Sequence, residues 1–162
     1  MSVEFQRISW IIDGELGVCN GPTANIIGRM TNAIRTDEEL PPSVLNTRPY
    51  LVCVTNSDIW KYSDLYLPLP RGPVPHEILE QIAEAIHTIR QLTGRKIVVH
   101  CDAARERSPL VAAYYMWAFS KNVSSFDEAY KFVRNRHTDT WDVSGWITNS
   151  SYDGALARMA KC

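Results

Sequence analysis

Apolar residues occur along this chain in two kinds of pattern, short continuous runs and longer stretches at helical spacing. The short runs predict strands at 8–12, 15–19, 50–55, 65–69 and 96–100. The first two runs flank Asp13-Gly14, a pair that is typical of a β-hairpin turn. Pro68 lies within the fourth run and has no backbone N–H to donate, which places that strand near an edge of the sheet.

The longer stretches predict helices. Apolar residues from Pro75 to Thr93 follow helical spacing with one apolar face, and Gly94 ends the pattern. The segment from Ser108 to Ser120 is apolar on nearly all sides, which is typical of a helix covered by other elements. Ser125 and Glu128 form a capping-box pattern at the start of another helix. Two further helices are predicted to begin near Pro22 and Ser144.

Strands that alternate with helices indicate an α/β fold whose central sheet is mainly parallel, with about five strands flanked by helices. A length of 162 residues suits one domain, so we expect residues 1–162 to form a single domain. In such sheets ligands bind beyond the carboxyl ends of the strands. The run at 96–100 places Cys101 at that edge.

The amino-acid composition argues against several classes of function. Basic and acidic residues number 17 and 18, for a net charge of -1, so there is no overall attraction to nucleic acid or to a membrane surface. No apolar run reaches the length of a membrane span. The four cysteines are far apart and form no C-x-x-C pair, which argues against a zinc knuckle or a disulfide scaffold. We therefore expect a reduced, soluble, cytoplasmic protein with no stable nucleic-acid partner.

The loop from Cys101 to Ser108 joins the buried strand to the amino end of the apolar helix. Free backbone N–H groups and the positive helix end attract an anion there, and the same field favours the thiolate form of Cys101. Arg107 adds a planar guanidinium suited to two oxygens of a phosphate. A thiolate that faces a phosphate held in this way is an in-line nucleophile.

These residues resemble a known family. Histidine, cysteine, five residues, arginine and serine at His100–Ser108 are similar to the signature loop of cysteine-dependent phosphatases. The layout resembles the dual-specificity branch: "GELGVCNGPTA" is similar to its hairpin and first helix, "YLVCVTN" to its next strand and "YSDLYLPL" to the strand before its acid loop. The resemblance implies a dual-specificity phosphatase-like fold and hydrolysis through a phosphocysteine. It implies no metal and no organic cofactor.

The resemblance also assigns a role to each signature residue. Cys101 would attack phosphorus, and Arg107 would bind the phosphoryl oxygens. Ser108 would hydrogen-bond the sulfur and help it leave, while His100 would orient the loop without titrating. The loop residues expected around the phosphate are Asp102, Ala103, Ala104, Arg105, Glu106 and Arg107.

Two departures from the family pattern matter. Ala104 stands where the family usually has glycine, at a cost of about 1 kcal/mol if that backbone needs a positive φ. The family also places an aspartate, which acts as the general acid, just after the strand at 65–69. This chain has Pro, Arg, Gly and Pro at 70–73 instead.

Several carboxylates are candidates for the missing acid. Glu106 ranks first, because myotubularin-type lipid phosphatases also keep an acidic residue at that loop position. Asp58 ranks second because it follows the strand at 50–55 and so lies at the correct edge, and Asp102 ranks third. Asp64 precedes its strand, which puts it at the opposite edge. A chain without any acid would need a substrate with a good leaving group.

Arg71 and Arg105 suggest a polyanionic substrate, since both could face the mouth of the pocket beside Arg107. The expected partner is a phosphorylated substrate: a phosphopeptide, an inositol phosphate or phosphoinositide head group, or a 5′-phosphorylated nucleotide or RNA.

Three alternatives stay open from the sequence. Cys101 could be a buried structural residue that ends a strand. The domain could bind phosphate with little catalysis, as Ala104 and the missing aspartate would suit. It could instead perform sulfur transfer or arsenate reduction, which would need a second thiol such as Cys53 within disulfide reach of Cys101.

Overall fold

The computed structural model describes residues 8–28, 49–55, 59–69, 74, 76–102, 107–120 and 122–140. The described strands are β1 (Ser9–Ile12), β2 (Leu16–Cys19), β3 (Tyr50–Cys53), β4 (Leu65–Tyr66) and β5 (Ile97–His100). The helices are α1, described over 21–28, then α2 (His76–Thr93), α3 (Arg107–Phe119) and α4 (Phe126–Thr140). The helix predicted near Ser144 lies outside the described residues.

The five strands form one sheet in the order β1-β2-β5-β3-β4. β1 and β2 make the predicted antiparallel hairpin, whose turn contains Gly14 at a φ of 72°, a conformation that favours glycine. β2, β5, β3 and β4 run parallel to one another. The α/β class with a mainly parallel sheet flanked by helices is therefore confirmed.

β5 lies at the centre of the sheet and is buried on both faces, as its continuous apolar run predicts. Ile97 and Val99 join the larger hydrophobic cluster, which includes residues of α2, α3 and α4. Val98 joins a smaller cluster with Ala24 and Ile27 of α1. Helices therefore cover both faces, and α3 is buried from Arg107 to Met116 as its sequence indicates.

β4 forms an edge of the sheet, as Pro68 predicts, but it is shorter than the predicted run at 65–69. Only Leu65 and Tyr66 pair as a strand. Backbone bonds from Leu67 N to Cys53 O (2.8 Å) and from Leu69 N to Val54 O (3.1 Å) continue alongside β3. Pro68, between these two donors, has no N–H and cannot continue a regular ladder.

The ends of the helices follow the predicted signals with one correction. Gly94 follows α2 at a φ of 68°, and its N–H bonds Arg90 O at 2.8 Å. At α4, Ser125 Oγ accepts from Glu128 N at 3.1 Å, the first half of a capping box. The Glu128 carboxylate accepts from Ser124 N at 3.0 Å rather than from Ser125 N, so the second half is displaced by one residue. Among the helices described, none has both the length and the apolar character that crossing a membrane requires.

Candidate active site

The candidate site lies at the carboxyl edge of the sheet, where three neighbouring strands end. His100 ends β5, and it is paired with Cys19 at the end of β2 and with Cys53 at the end of β3. Cys101 follows directly, and α3 begins at Arg107. The parallel register thus places Cys101 between two other strand ends, at the edge where ligands bind in such sheets.

Cys101 and Ser108 are close to each other. The Cys101 Sγ atom lies 3.4 Å from Ser108 Oγ, and both residues are buried. Ser108 sits in the first turn of α3, and Pro109 follows it where a missing N–H costs nothing. A serine hydroxyl at this distance can donate a hydrogen bond to sulfur, which stabilises negative charge on it.

Arg107 is buried with its guanidinium held at both terminal nitrogens. Its Nη1 donates to Thr55 Oγ1 at 2.8 Å, and its Nη2 donates to Asp102 Oδ2 at 3.1 Å. The arginine is 5% exposed, so its charge has little water to solvate it. A guanidinium has five N–H donors, and the bonds to Thr55 and Asp102 use two of them. The two bonds hold the guanidinium in place at the start of α3.

Asp102 accepts hydrogen bonds from three side chains. Its Oδ1 accepts from Trp60 Nε1 at 2.6 Å, and its Oδ2 accepts from Arg107 and, at 3.4 Å, from Thr55 Oγ1. Burial acts to raise the pKa of Asp102, but the hydrogen bonds from Trp60 and Arg107 outweigh it and lower the pKa below its usual value. An ionised carboxylate has no proton to donate at neutral pH, so Asp102 suits positioning better than general acid catalysis.

His100 is fully buried and makes two hydrogen bonds. Its Nδ1 lies 3.2 Å from Cys101 O, and its Nε2 lies 2.6 Å from Ser63 Oγ. Burial lowers the pKa of His100 to about 4. The imidazole is therefore neutral at pH 7, and its role in orienting the loop stays a prediction.

Several predicted site residues lie outside the described residues. These are Asp58, Arg71, Ala103, Ala104, Arg105 and Glu106. The main-chain amides expected to surround a phosphate belong to residues 103–106, so the phosphate-binding shape of this loop stays a prediction. Asp64 is described, and its Oδ2 accepts from Leu51 N at 2.9 Å, within β3 rather than beyond its end. Its placement agrees with the argument that excluded it as the acid.

Thr55, Trp60 and Ser63 contact the site, and none of them was predicted from the sequence. Thr55 follows β3 at the carboxyl edge of the sheet. Asp58 was chosen because of the same position, so the sequence also contained a signal for Thr55. Trp60 and Ser63 come from the segment before β4. No local pattern there indicates that their side chains reach back to the signature loop.

None of the described cysteines forms a disulfide bond. Cys19, Cys53 and Cys101 are all free thiols. Burial raises the pKa of Cys53, whose Sγ lies 3.8 Å from Thr55 O. A protonated thiol is a weak nucleophile, so Cys53 is poorly suited to the second thiol that sulfur transfer or arsenate reduction needs. Within the described ranges no group of histidines, cysteines and carboxylates could hold a metal ion.

Two clefts between described residues lie away from Cys101. One, of about 430 Å³, is lined by side chains of α2 and α3, among them Glu84 and Trp117. The other, of about 300 Å³, is lined by residues that include Glu15, Arg90 and Tyr115. Neither cleft includes a residue of the candidate site.

Comparison with known proteins supports the fold. No protein-family model matches the chain, and no curated protein matches it. Among solved structures, a mouse protein described as a dual-specificity phosphatase, complexed with zinc tungstate, is similar, with a TM-score of 0.64 and 18% identity over 96% of this chain and 86% of that one. A human DUSP28 variant gives a TM-score of 0.61 and 15% identity over 96% and 98%. Tk-PTP in its active form gives a TM-score of 0.59 and 16% identity, over 96% of this chain and 94% of that one. The chain therefore has a dual-specificity phosphatase-like fold.

Proposed function

We propose that this protein is a phosphatase that hydrolyses a phosphomonoester through a phosphocysteine intermediate. The observation that carries the proposal is the cluster at the carboxyl edge of β5. There the Cys101 sulfur lies 3.4 Å from the Ser108 hydroxyl, and the buried guanidinium of Arg107 is fixed at the adjoining helix start. These contacts support the roles that the resemblance assigns: Cys101 as the nucleophile, Ser108 as the residue that stabilises the leaving sulfur, and Arg107 as the cation for the phosphoryl oxygens.

In the first step the Cys101 thiolate attacks phosphorus in line with the ester oxygen. A sulfur–phosphorus bond forms, the phosphorus–oxygen bond of the ester breaks, and the leaving alcohol takes a proton from an acid or from water. Arg107 donates N–H bonds to the phosphoryl oxygens, on which negative charge develops in the transition state. Because the guanidinium is already held by Thr55 and Asp102, little reorganisation is needed when the substrate arrives.

In the second step water attacks phosphorus, and the sulfur–phosphorus bond breaks. Inorganic phosphate is released, and the electron pair returns to sulfur as the thiolate. Ser108 donates a hydrogen bond from its hydroxyl group to that sulfur and so stabilises the leaving thiolate. The neutral imidazole of His100 keeps its bond to Cys101 O throughout, and so holds the backbone at the nucleophile.

For the general acid we keep Glu106 first and Asp58 second, and the ionised state of Asp102 disfavours it. We expect Glu106→Gln to slow a substrate with a poor leaving group far more than an activated aryl phosphate. Asp58→Asn, tested in the same way, is the matched comparison. Equal effects of Glu106→Gln on both substrates would remove Glu106 as the acid.

The decisive test of the mechanism is Cys101→Ser assayed on an aryl phosphate, with Cys19→Ala as the matched control. Cys19 is also buried at the end of a strand beside His100 but has no role in the proposed chemistry. We expect Cys101→Ser to lower the rate to background and Cys19→Ala to retain turnover. Unchanged hydrolysis by Cys101→Ser would overturn the mechanism.

A phosphate-binding module with little catalysis is the second candidate, favoured by the absence of aspartate at 70–73. Steady-state turnover distinguishes the two, because only an enzyme gives a robust kcat on some phosphate. The panel should span phosphopeptides, inositol phosphates and 5′-phosphorylated RNA, since Arg71 and Arg105 favour a polyanion. A polyanionic preference that Arg71→Ala and Arg105→Ala leave unchanged would show that these two arginines do not cause it.

A further inference from the structure

Trp60 connects the segment before β4 to the candidate site. Its indole Nε1 donates to Asp102 Oδ1 at 2.6 Å, and its carbonyl oxygen accepts from Tyr66 Oη at 2.7 Å. The ring is packed against Gly21 so closely that a Cβ there would collide with it. The indole and the His100 ring make an edge-to-face contact, with their centroids 6.4 Å apart. The indole is therefore held from several sides, and its N–H direction is fixed.

Asp102 transmits that constraint to Arg107. One carboxylate oxygen is bound by the indole, and the other accepts from Arg107 Nη2 at 3.1 Å. The Asp102 side chain is 45% exposed, so packing alone does not fix its rotamer. Without the indole bond the carboxylate would keep only its contacts through Oδ2, to Arg107 at 3.1 Å and to Thr55 at 3.4 Å, and its orientation beside Arg107 would be less fixed.

The chemistry of the pair suits this role. An indole N–H is a donor only, so it cannot compete with Asp102 for the guanidinium, and it holds the carboxylate as an acceptor. A hydrogen bond to an ionised acceptor is stronger than one between neutral groups. Phenylalanine at position 60 would keep much of the ring packing and lose this bond.

We propose that Trp60 is a positioning residue for Arg107 that acts through Asp102, without touching the phosphoryl group. This inference rests on the proposed function, because it assigns to Arg107 the binding of a tetrahedral oxyanion. The inference is that the affinity for that oxyanion depends on Trp60, a residue outside the signature loop.

The test is a double-mutant cycle on the affinity for tungstate, a tetrahedral oxyanion whose binding needs no turnover. Titration calorimetry on the wild type, Trp60→Phe, Asp102→Ala and the double variant gives four dissociation constants. We expect Trp60→Phe to weaken tungstate binding about tenfold when Asp102 is present. In the Asp102→Ala background the indole has no carboxylate to hold, so the same change should have little effect.

Trp117→Phe is the matched control, because Trp117 packs against Tyr114 and Phe126 of α3 and α4, away from the loop. It should bind tungstate as the wild type does. An effect of Trp60→Phe that persists in full without Asp102 would show a general packing role and overturn the inference. So would a Trp60→Phe protein that binds as tightly as the wild type. If the wild type itself neither binds tungstate nor hydrolyses a phosphate, the proposed function fails, and this inference fails with it.

Discussion

The Nε2 atom of His100 lies 2.6 Å from Ser63 Oγ, and the direction of this hydrogen bond follows from the tautomer of the buried imidazole. On the other side of the ring, Nδ1 lies 3.2 Å from Cys101 O, which can only accept a hydrogen bond. Nδ1 therefore carries the proton, and Nε2 accepts from the serine hydroxyl. A protonated ring would have two N–H donors and would disturb the bond that Ser63 donates.

His100 should make the protein less stable in acid. Burial lowers its pKa from 6.5 to about 4, so below pH 6.5 the unfolded chain takes up a proton that the folded protein binds only near pH 4. The stability that the neutral imidazole of His100 contributes is fully present above pH 6.5 and is lost as the pH falls toward 4. Between pH 7.5 and 5 the loss is about 2 kcal/mol.

We expect His100→Asn to lack this component. Urea unfolding of both proteins at pH 7.5 and pH 5 measures it as the difference between their two losses of stability. The variant starts from a lower stability, because its hydrogen bonds to Ser63 and to Cys101 O change, so the comparison is of pH dependence and not of absolute values. Equal losses in the two proteins would contradict the assignment.

Arg107→Lys should reduce activity although the charge is kept. An ammonium group cannot present the planar pair of donors that binds two phosphoryl oxygens, and it cannot reach Thr55 and Asp102 in the same geometry. We expect kcat on an aryl phosphate to fall about 10²- to 10³-fold, the usual cost of losing an oxyanion donor.

Arg136→Lys is the control for that substitution. Arg136 pairs with Asp13 at the protein surface, far along the chain from the loop, and its change should leave kcat unchanged. If Arg107→Lys were as active as Arg136→Lys, Arg107 would not bind the transferred phosphoryl group.

Ser125→Ala should destabilise α4 without altering the candidate site. Ser125 Oγ accepts the Glu128 N–H, and the loss of such a cap costs about 1 kcal/mol. Ser125→Asp keeps an acceptor at the helix start and should stay close to the wild type. Urea unfolding of the three proteins tests the cap, and a Ser125→Ala protein as stable as Ser125→Asp would exclude it.

The fold could be predicted largely from the sequence because its signals are local. The run at 96–100 is apolar on both faces, which is what a central parallel strand such as β5 requires. The same local reasoning overestimated β4, since a proline within a run predicts an edge strand but not where regular pairing ends. The displaced bond from Glu128 to Ser124 likewise depends on the path of the chain before α4, which the capping-box pattern does not specify.

The site could be predicted only where it is contiguous in sequence. Cys101, Arg107 and Ser108 lie within eight positions, so their spacing alone indicates an anion site. Trp60 and Ser63 lie about forty residues earlier, and they reach the loop because β4 pairs with β3 and β3 pairs with β5. Such a meeting of side chains depends on tertiary pairing, which no local pattern encodes.

Thr55 gives the sharpest test of how Arg107 is held. Its Oγ1 accepts from Arg107 Nη1 at 2.8 Å and lies 3.4 Å from Asp102 Oδ2, so one hydroxyl bridges the ion pair. Thr55→Val has nearly the same shape but removes the hydroxyl. Hydrogen bonds to charged groups contribute about 1.5–3 kcal/mol, so we expect kcat/KM on an aryl phosphate to fall about tenfold to a hundredfold.

Thr55→Ser is the matched control because it keeps the hydroxyl and loses only the methyl group. It should retain most of the activity, and tungstate affinity should follow the same order, with the wild type and Thr55→Ser binding more tightly than Thr55→Val. Urea unfolding separates a local effect on Arg107 from a general loss of folding. Equal kcat/KM values for the valine and serine variants would show that this hydroxyl does not position the guanidinium, and the anchoring of Arg107 would then depend on Asp102 alone.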